Sequence, residues 1–187
     1  MASATDAISD DLAMWMRGQP MFFVATAPRA DDGHVNVSPK GLATFAVLGP
    51  QRVAYLDLTG SGAETIAHVR QNGRITIMFC AFEGAPSICR VYGAGTVHER
   101  GSDGYDELLP NFTELVGARA IIDVAVTRVS SSCGYGVPLM EYVGQRTRLL
   151  EWADARGPEG LADYRRTKNA ASIDGLPAFG AEQPASQ

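Results

Sequence analysis

Seven apolar runs of strand length follow one another along this chain, with only two short helical segments between them. They occupy residues 21–27, 34–39, 44–48, 52–58, 74–82, 87–98 and 118–129. Strands in series, without a helix after each one, build an antiparallel sheet rather than a doubly wound α/β sheet. The 187 residues, 45% hydrophobic and 20% charged, suit one ordinary core. We therefore expect a mainly β (α+β) fold, a six- to seven-stranded antiparallel barrel with short peripheral helices and a helical C-terminal extension. Closure would remove the exposed strand edges.

Local signals divide the chain further. Ser9 or Asp10 caps a helix to Met16, and Asp31-Asp32-Gly33 turns a hairpin. From 34 to 39 the residues alternate, predicting that Val35 and Val37 face the core while His34, Asn36 and Ser38 face water. Gly93 and Gly95 inside a strand mark a bulge or a close approach. Ser102 caps a helix expected to run raggedly to Val116. Residues 139–156 read as helical, Gly157-Pro158 breaks that helix, and Pro158 opens a last one to about Ala170. The expected divisions are an N-terminal helix (1–19), the barrel (20–130), a loop and helical extension packed on it (131–177), and a disordered Ala/Gln/Pro/Ser-rich tail (178–187).

The chemistry concentrates at Thr59-Gly60-Ser61-Gly62, where the apolar strand Tyr55–Leu58 turns into a short helix. Such a turn exposes backbone N–H groups at a helix N-terminus, where the dipole favours an anion. Ser61 and Glu64 match a capping box, so the turn also reads as no more than a well-capped helix start. Gly60 to Thr65 nearly matches the dinucleotide fingerprint, with Glu83 at about the offset of a ribose-binding acid. A threonine in place of the third glycine, the short helix and the lack of α/β alternation count against that alternative.

Other classes find less support. The net charge of −5 argues against nucleic-acid binding, and no apolar run approaches membrane-spanning length. Asp6, Asp10 and Asp11 stand where a signal peptide would be basic, so no secretory leader is expected. Cys80, Cys89 and Cys133, odd in number and without C-x-x-C spacing, read as free thiols in a reducing cytoplasm, with Cys133 the candidate for reactivity. His34, His68 and His98 lack metal-ligand spacing, and His68 reads as a solvated helix residue. Tyr135 and His34 are the only side chains to name as catalytic acid or base. The arginines and Lys168 between 146 and 168 read as a solvated helix face, with a phosphate or partner site as the alternative.

Val35-Asn36-Val37-Ser38-Pro39-Lys40-Gly41, the Thr-Gly-Ser-Gly turn and Ile88-Cys89-Arg90-Val91-Tyr92-Gly93 occur in an order that resembles the pyridoxamine 5′-phosphate oxidase-like superfamily, the FMN-binding split β-barrel. The resemblance spans about residues 20–130, and Cys133 to Pro138 also looks like one flavin-binding branch. It implies a homodimer with FMN at the interface. Carried over, the phosphate contacts would be Ser38, Lys40, Thr59, Ser61, Gly62 and Thr65; the backbone at Val37 and Leu58 would face the isoalloxazine, and Arg90 would lie near the ring or phosphate. The chain lacks the family's Ser-Arg-Lys at the helix start, has Ile88 where the oxidases carry glutamine, and lacks their Arg-Leu-x-Pro ending. The resemblance thus implies an FMN-dependent oxidoreductase acting on a small molecule other than pyridoxamine phosphate. The alternative is a non-catalytic binder of flavin, deazaflavin or haem.

Overall fold

The computed structural model describes residues 3–179. In chain order its elements are β1 (Ser3–Thr5), α1 (Asp10–Arg17), β2 (Phe22–Thr26), β3 (Asn36–Lys40), β4 (Phe45–Gly49), β5 (Arg52–Leu58), α2 (Glu64–Asn72), β6 (Arg74–Cys80), β7 (Ile88–Glu99), α3 (Asp103–Leu108), a 3₁₀ turn (Leu109–Asn111), β8 (Ala118–Ser132) and α4 (Arg148–Lys168). All pairings are antiparallel, in the order β3-β2-β6-β7-β8-β5-β4, with β1 on β8. This is the split-barrel α+β fold. The sheet is not closed: β3 and β4 end it, joined by the turn between them. An all-antiparallel sheet rules out the dinucleotide-fold alternative. The strand beyond the expected seven is β1, three residues long.

The core is built from alternate residues of these strands. Phe22, Phe45, Tyr55 and Phe79 form its aromatic centre, with ring centroids 4.9 to 5.7 Å apart. A second cluster lies on the other face of β5 and β8, where Leu56 and Ile121 pack against Tyr105 and Leu108 of α3. Strand β5 is therefore covered on both faces, and Val53 through Asp57 are all buried. The Gly93 signal is confirmed as a bulge: the β7–β8 register shifts between Tyr92 and Gly93, and a Cβ on Gly93 would run into the Ala125 carbonyl.

Several local expectations change. Helix α3 ends in the 3₁₀ turn at Asn111 rather than reaching Val116, and residues 133–147 form an irregular strap, so α4 starts only at Arg148. Four hydrogen bonds hold the strap down, from Met140 N–H to the Phe82 carbonyl, from Tyr142 N–H to Glu83, from Gln145 to the Pro20 carbonyl and from the Leu42 N–H to Gln145. The predicted break stands: Gly157 has φ 63° and interrupts α4 before Pro158. Ala178 and Phe179, read as the head of the tail, are buried, while residues 180–187 lie outside the described residues. His68 is fully buried rather than solvated.

The faces of β3 are reversed. Val35 and Val37 are 70% and 62% exposed, while Asn36, Ser38 and Lys40 turn inward. Alternation separates two sets of side chains but does not say which set is inside. Here the polar set finds partners inside the barrel.

Both serine caps form. Ser9 accepts from the Leu12 N–H and Ser102 from the Tyr105 N–H, each at 3.3 Å. Ser102→Ala is expected to cost about 1 kcal/mol, read as a lower urea midpoint at unchanged slope.

Candidate functional site

Strands β3 and β5, the turn after β5 and the start of α2 enclose a cavity of about 310 Å³. Of the nine residues predicted for the site, Ser38, Lys40, Leu58, Ser61, Gly62 and Thr65 line it. Val37, Thr59 and Arg90 do not. Val37 is on the outer face of β3, and Thr59 is buried with its hydroxyl donated to the Gly117 carbonyl at 2.9 Å. Arg90 sits on β7 and donates to the Ser132 hydroxyl at 3.3 Å. Tyr135 and His34 are also absent from the lining; His34 is on the surface, paired with Asp174 at 2.6 Å.

The expected capping box is not formed. Helix α2 has Ala63 at its N-cap and no side-chain cap, and the Glu64 carboxylate instead accepts from the Ile173 N–H at 3.2 Å. The first N–H groups of α2 therefore lack the partner the sequence promised them. The carbonyls of the turn are spoken for: Gly60 accepts from Asn169 and Gly62 from Arg119, both at 2.9 Å. In a trans peptide the N–H points opposite to the C=O, so the Ser61 and Ala63 N–H groups point away from those partners.

A buried ion cluster stands behind the turn. Asp57, 1% exposed, accepts from Lys40 Nζ at 2.8 Å and from Arg119 Nε at 2.6 Å. Burial pushes the Asp57 carboxyl up, but the Arg119 and Lys40 charges more than cancel this and hold its pKa at about 2. Arg119 is 5% exposed and held at all three nitrogens, Nε by Asp57, Nη1 by Asn169 Oδ1 at 2.8 Å and Nη2 by the Gly62 carbonyl at 2.9 Å, with the Phe179 ring 5.2 Å away. A bulge aims it: Asp57 pairs with Ala120 and Leu58 with Ala118, leaving Arg119 as the extra residue of β8.

A hydroxyl network completes the wall. Asn36 Nδ2 donates to Thr65 Oγ1 at 3.0 Å and to Thr26 Oγ1 at 3.3 Å, and Ser38 donates to Asn36 Oδ1 at 3.0 Å. Thr26 in turn meets His68 Nδ1 at 3.0 Å. Burial pushes the His68 pKa down, so this histidine is neutral at pH 7.

Asp57, Arg119, Asn36 and Asn169 were missed in the sequence. The available signal was a charge set directly among apolar residues in each of two strands, Asp57 between Leu56 and Leu58 and Arg119 between Ala118 and Ala120-Ile121-Ile122. Charges so placed are buried only when paired. Burial raises the Cys89 thiol to about 11, Cys133 is exposed, and among the described residues no group of three or more acidic, His or Cys side chains could hold a metal ion. No described helix is long and apolar enough to cross a membrane.

The fold and cavity together define a split barrel with an uncapped helix terminus beside a cavity of small-ligand size. The chain belongs to the pyridoxamine 5′-phosphate oxidase family, whose model matches residues 8–133. It is 42% identical over 191 residues to the pyridoxamine 5′-phosphate oxidase family protein ustO of Aspergillus flavus, covering 93% of this chain and 76% of that protein. Among solved structures, a HupZ variant from Group A Streptococcus is similar at 20% identity and a TM-score of 0.52, covering 67% of this chain and 99% of the other. A provisionally assigned pyridoxamine 5′-phosphate oxidase from Lactobacillus delbrueckii is similar at 17% identity and 0.51, covering 67% and 94%. At these identities the two structures speak for the fold alone.

Proposed function

We propose that this protein is an FMN-dependent oxidoreductase acting on a small molecule other than pyridoxamine phosphate. The observation that carries the reading is the uncapped N-terminus of α2, facing a cavity that also holds Ser38, Lys40, Ser61 and Thr65. These residues fit a phosphate: free N–H groups and hydroxyls supply directional bonds, and Lys40 a point charge. When bound, FMN would supply the hydride and electron chemistry. The protein's own part is to orient the cofactor by Ser38, Ser61, Gly62 and Thr65, with Lys40 held in place by Asp57. Leu58 would flank the ring.

Val37, Thr59 and Arg90 stand outside this cavity. For Val37 and Arg90, on the outer face of β3 and on β7, contact with a cofactor fits a homodimer whose interface completes the site. Thr59 is better read as a brace of the turn. A cytoplasmic location accords with three free thiols.

One observation favours a second reading, a non-catalytic binder of flavin, deazaflavin or haem. The titratable residues lining the cavity are Lys40, Glu64 and Arg119, and both cations are tied to Asp57. Glu64, whose Oε1 accepts from the Ile173 N–H, is the one carboxylate in the lining, and no histidine, cysteine or tyrosine joins it. The purified protein is expected to take up FMN and to keep the oxidised-flavin bands through gel filtration. Reduction by a nicotinamide donor and rapid reoxidation would support the enzyme. A tight but redox-inert chromophore would support the binder. A protein that ignores FMN overturns the cofactor assignment.

A further inference from the structure

Beside the cavity above lies a larger one, of about 1000 Å³. Trp15, Met21, Phe82, Met140 and Tyr142 give it aromatic and thioether walls, and Leu42 lines both cavities. Its volume is at the upper end for small-molecule sites, and its apolar walls with a few polar groups are typical of them.

The partition between the two cavities is a strained turn. Leu42 and Ala43, the two positive-φ residues other than glycine among those described, have φ 62° and 52°. Neither carries a side chain that favours this conformation, so the turn is kept by its surroundings. Gln145 of the strap supplies the hold. Its Oε1 accepts from the Leu42 N–H at 3.1 Å while its Nε2 donates to the Pro20 carbonyl at 2.7 Å. The strap thus forms one wall of the large chamber and pins the partition.

The polar groups of the chamber select a charge. Glu83 and Glu141 line it, against one guanidinium, Arg17, whose Nη2 donates to the Val47 carbonyl at 3.1 Å. Glu83 spends one oxygen on the Tyr142 N–H and keeps the other, and Glu141 forms no ion pair among the described residues. Carboxylates beside aromatic faces suit a cation, through ion pairing and cation–π attraction, and repel a phosphate or carboxylate.

We propose that this chamber binds the organic substrate, and that the substrate is an aromatic amine bearing an ammonium group and no phosphate. The inference rests on the FMN reading only for the word substrate; the binding of such an amine stands without it. The chamber meets the cofactor cavity at Leu42, so a ligand filling it would reach the partition between them.

The test uses the full chain, with and without FMN, titrated calorimetrically with 2-phenylethylammonium and with 3-phenylpropanoate, which have the same ring and opposite charges. The ammonium probe is expected to bind at least about tenfold more tightly than the carboxylate. Glu141→Gln should weaken the ammonium about tenfold and leave the carboxylate no weaker, and Tyr142→Ala should weaken both. Both side chains are exposed, so these variants are expected to fold. No binding of the ammonium at millimolar concentration, equal binding of the two probes, or binding indifferent to both substitutions would overturn the proposal. Flavin absorbance of the same samples separates the two claims. Amine binding by a protein that refuses FMN overturns the cofactor reading and leaves the chamber. FMN binding without amine binding overturns the chamber and leaves the cofactor reading.

Discussion

Replacing Asp57 by asparagine is expected to cost about 3–5 kcal/mol, the range for breaking a buried ion pair from one side. Lys40 can carry its ammonium toward water along its flexible stem, but Arg119 cannot follow. Its guanidinium is held by Asn169, the Gly62 carbonyl and the bulge of β8. The loss comes from a charge left buried without a counter-charge. A typical domain has about 5–15 kcal/mol of stability in all, so the variant should show a much lower urea midpoint. Adding Arg119→Met should recover part of the loss, because it removes the stranded charge. A single substitution that costs less than about 1 kcal/mol would show that water already solvates the cluster.

The same carboxylate sets an acid limit on stability. Its pKa is about 2 in the fold against an ordinary 3.8, so the folded state favours the ionised form. The contribution, about 2 kcal/mol, is fully present above the ordinary value and is lost as pH falls through about 2. Urea titrations between these limits should therefore show a decline that the Asp57→Asn variant does not share.

How far the sequence could be read follows from the range of each signal. Strand periodicity is local, and the seven predicted runs correspond to seven strands. The Thr-Gly-Ser-Gly turn is also local, and it does open on a cavity with Ser38 and Lys40 opposite. What failed depends on contacts distant in sequence. Ser61 and Glu64 satisfy a capping pattern, but Ile173, 109 residues away, takes the carboxylate. Asp57 and Arg119 are 62 residues apart and meet only because β5 pairs with β8 through a bulge. Asn36 looks like the solvent side of an alternating strand until Thr26 and Thr65 are placed beside it. The strap reads as a helix because its composition allows one. Tertiary hydrogen bonds at Met140, Tyr142 and Gln145, with Gly144 at φ 155°, draw it out instead.

Lys40→Gln and Glu64→Gln are expected to move FMN affinity in opposite directions. Two cations and two carboxylates, Lys40 and Arg119 with Asp57 and Glu64, surround the cavity, so its formal charge is balanced. A phosphate there depends on hydroxyls, on the α2 terminus and on small departures from balance. Lys40→Gln leaves the site one unit negative. It should weaken FMN about tenfold, or about 1.4 kcal/mol. It costs the fold little, since Asp57 keeps Arg119. Glu64→Gln leaves the site one unit positive and should tighten FMN by a similar factor, while the amide oxygen can still accept from Ile173. Both effects should shrink as salt is raised, because the cavity is open to solvent. Dissociation constants from flavin fluorescence at low and high salt decide the matter. If both variants bind FMN like the parent chain at low salt, the phosphate lies outside this cavity. If both weaken it, Glu64 acts through its bond to Ile173 and not through its charge.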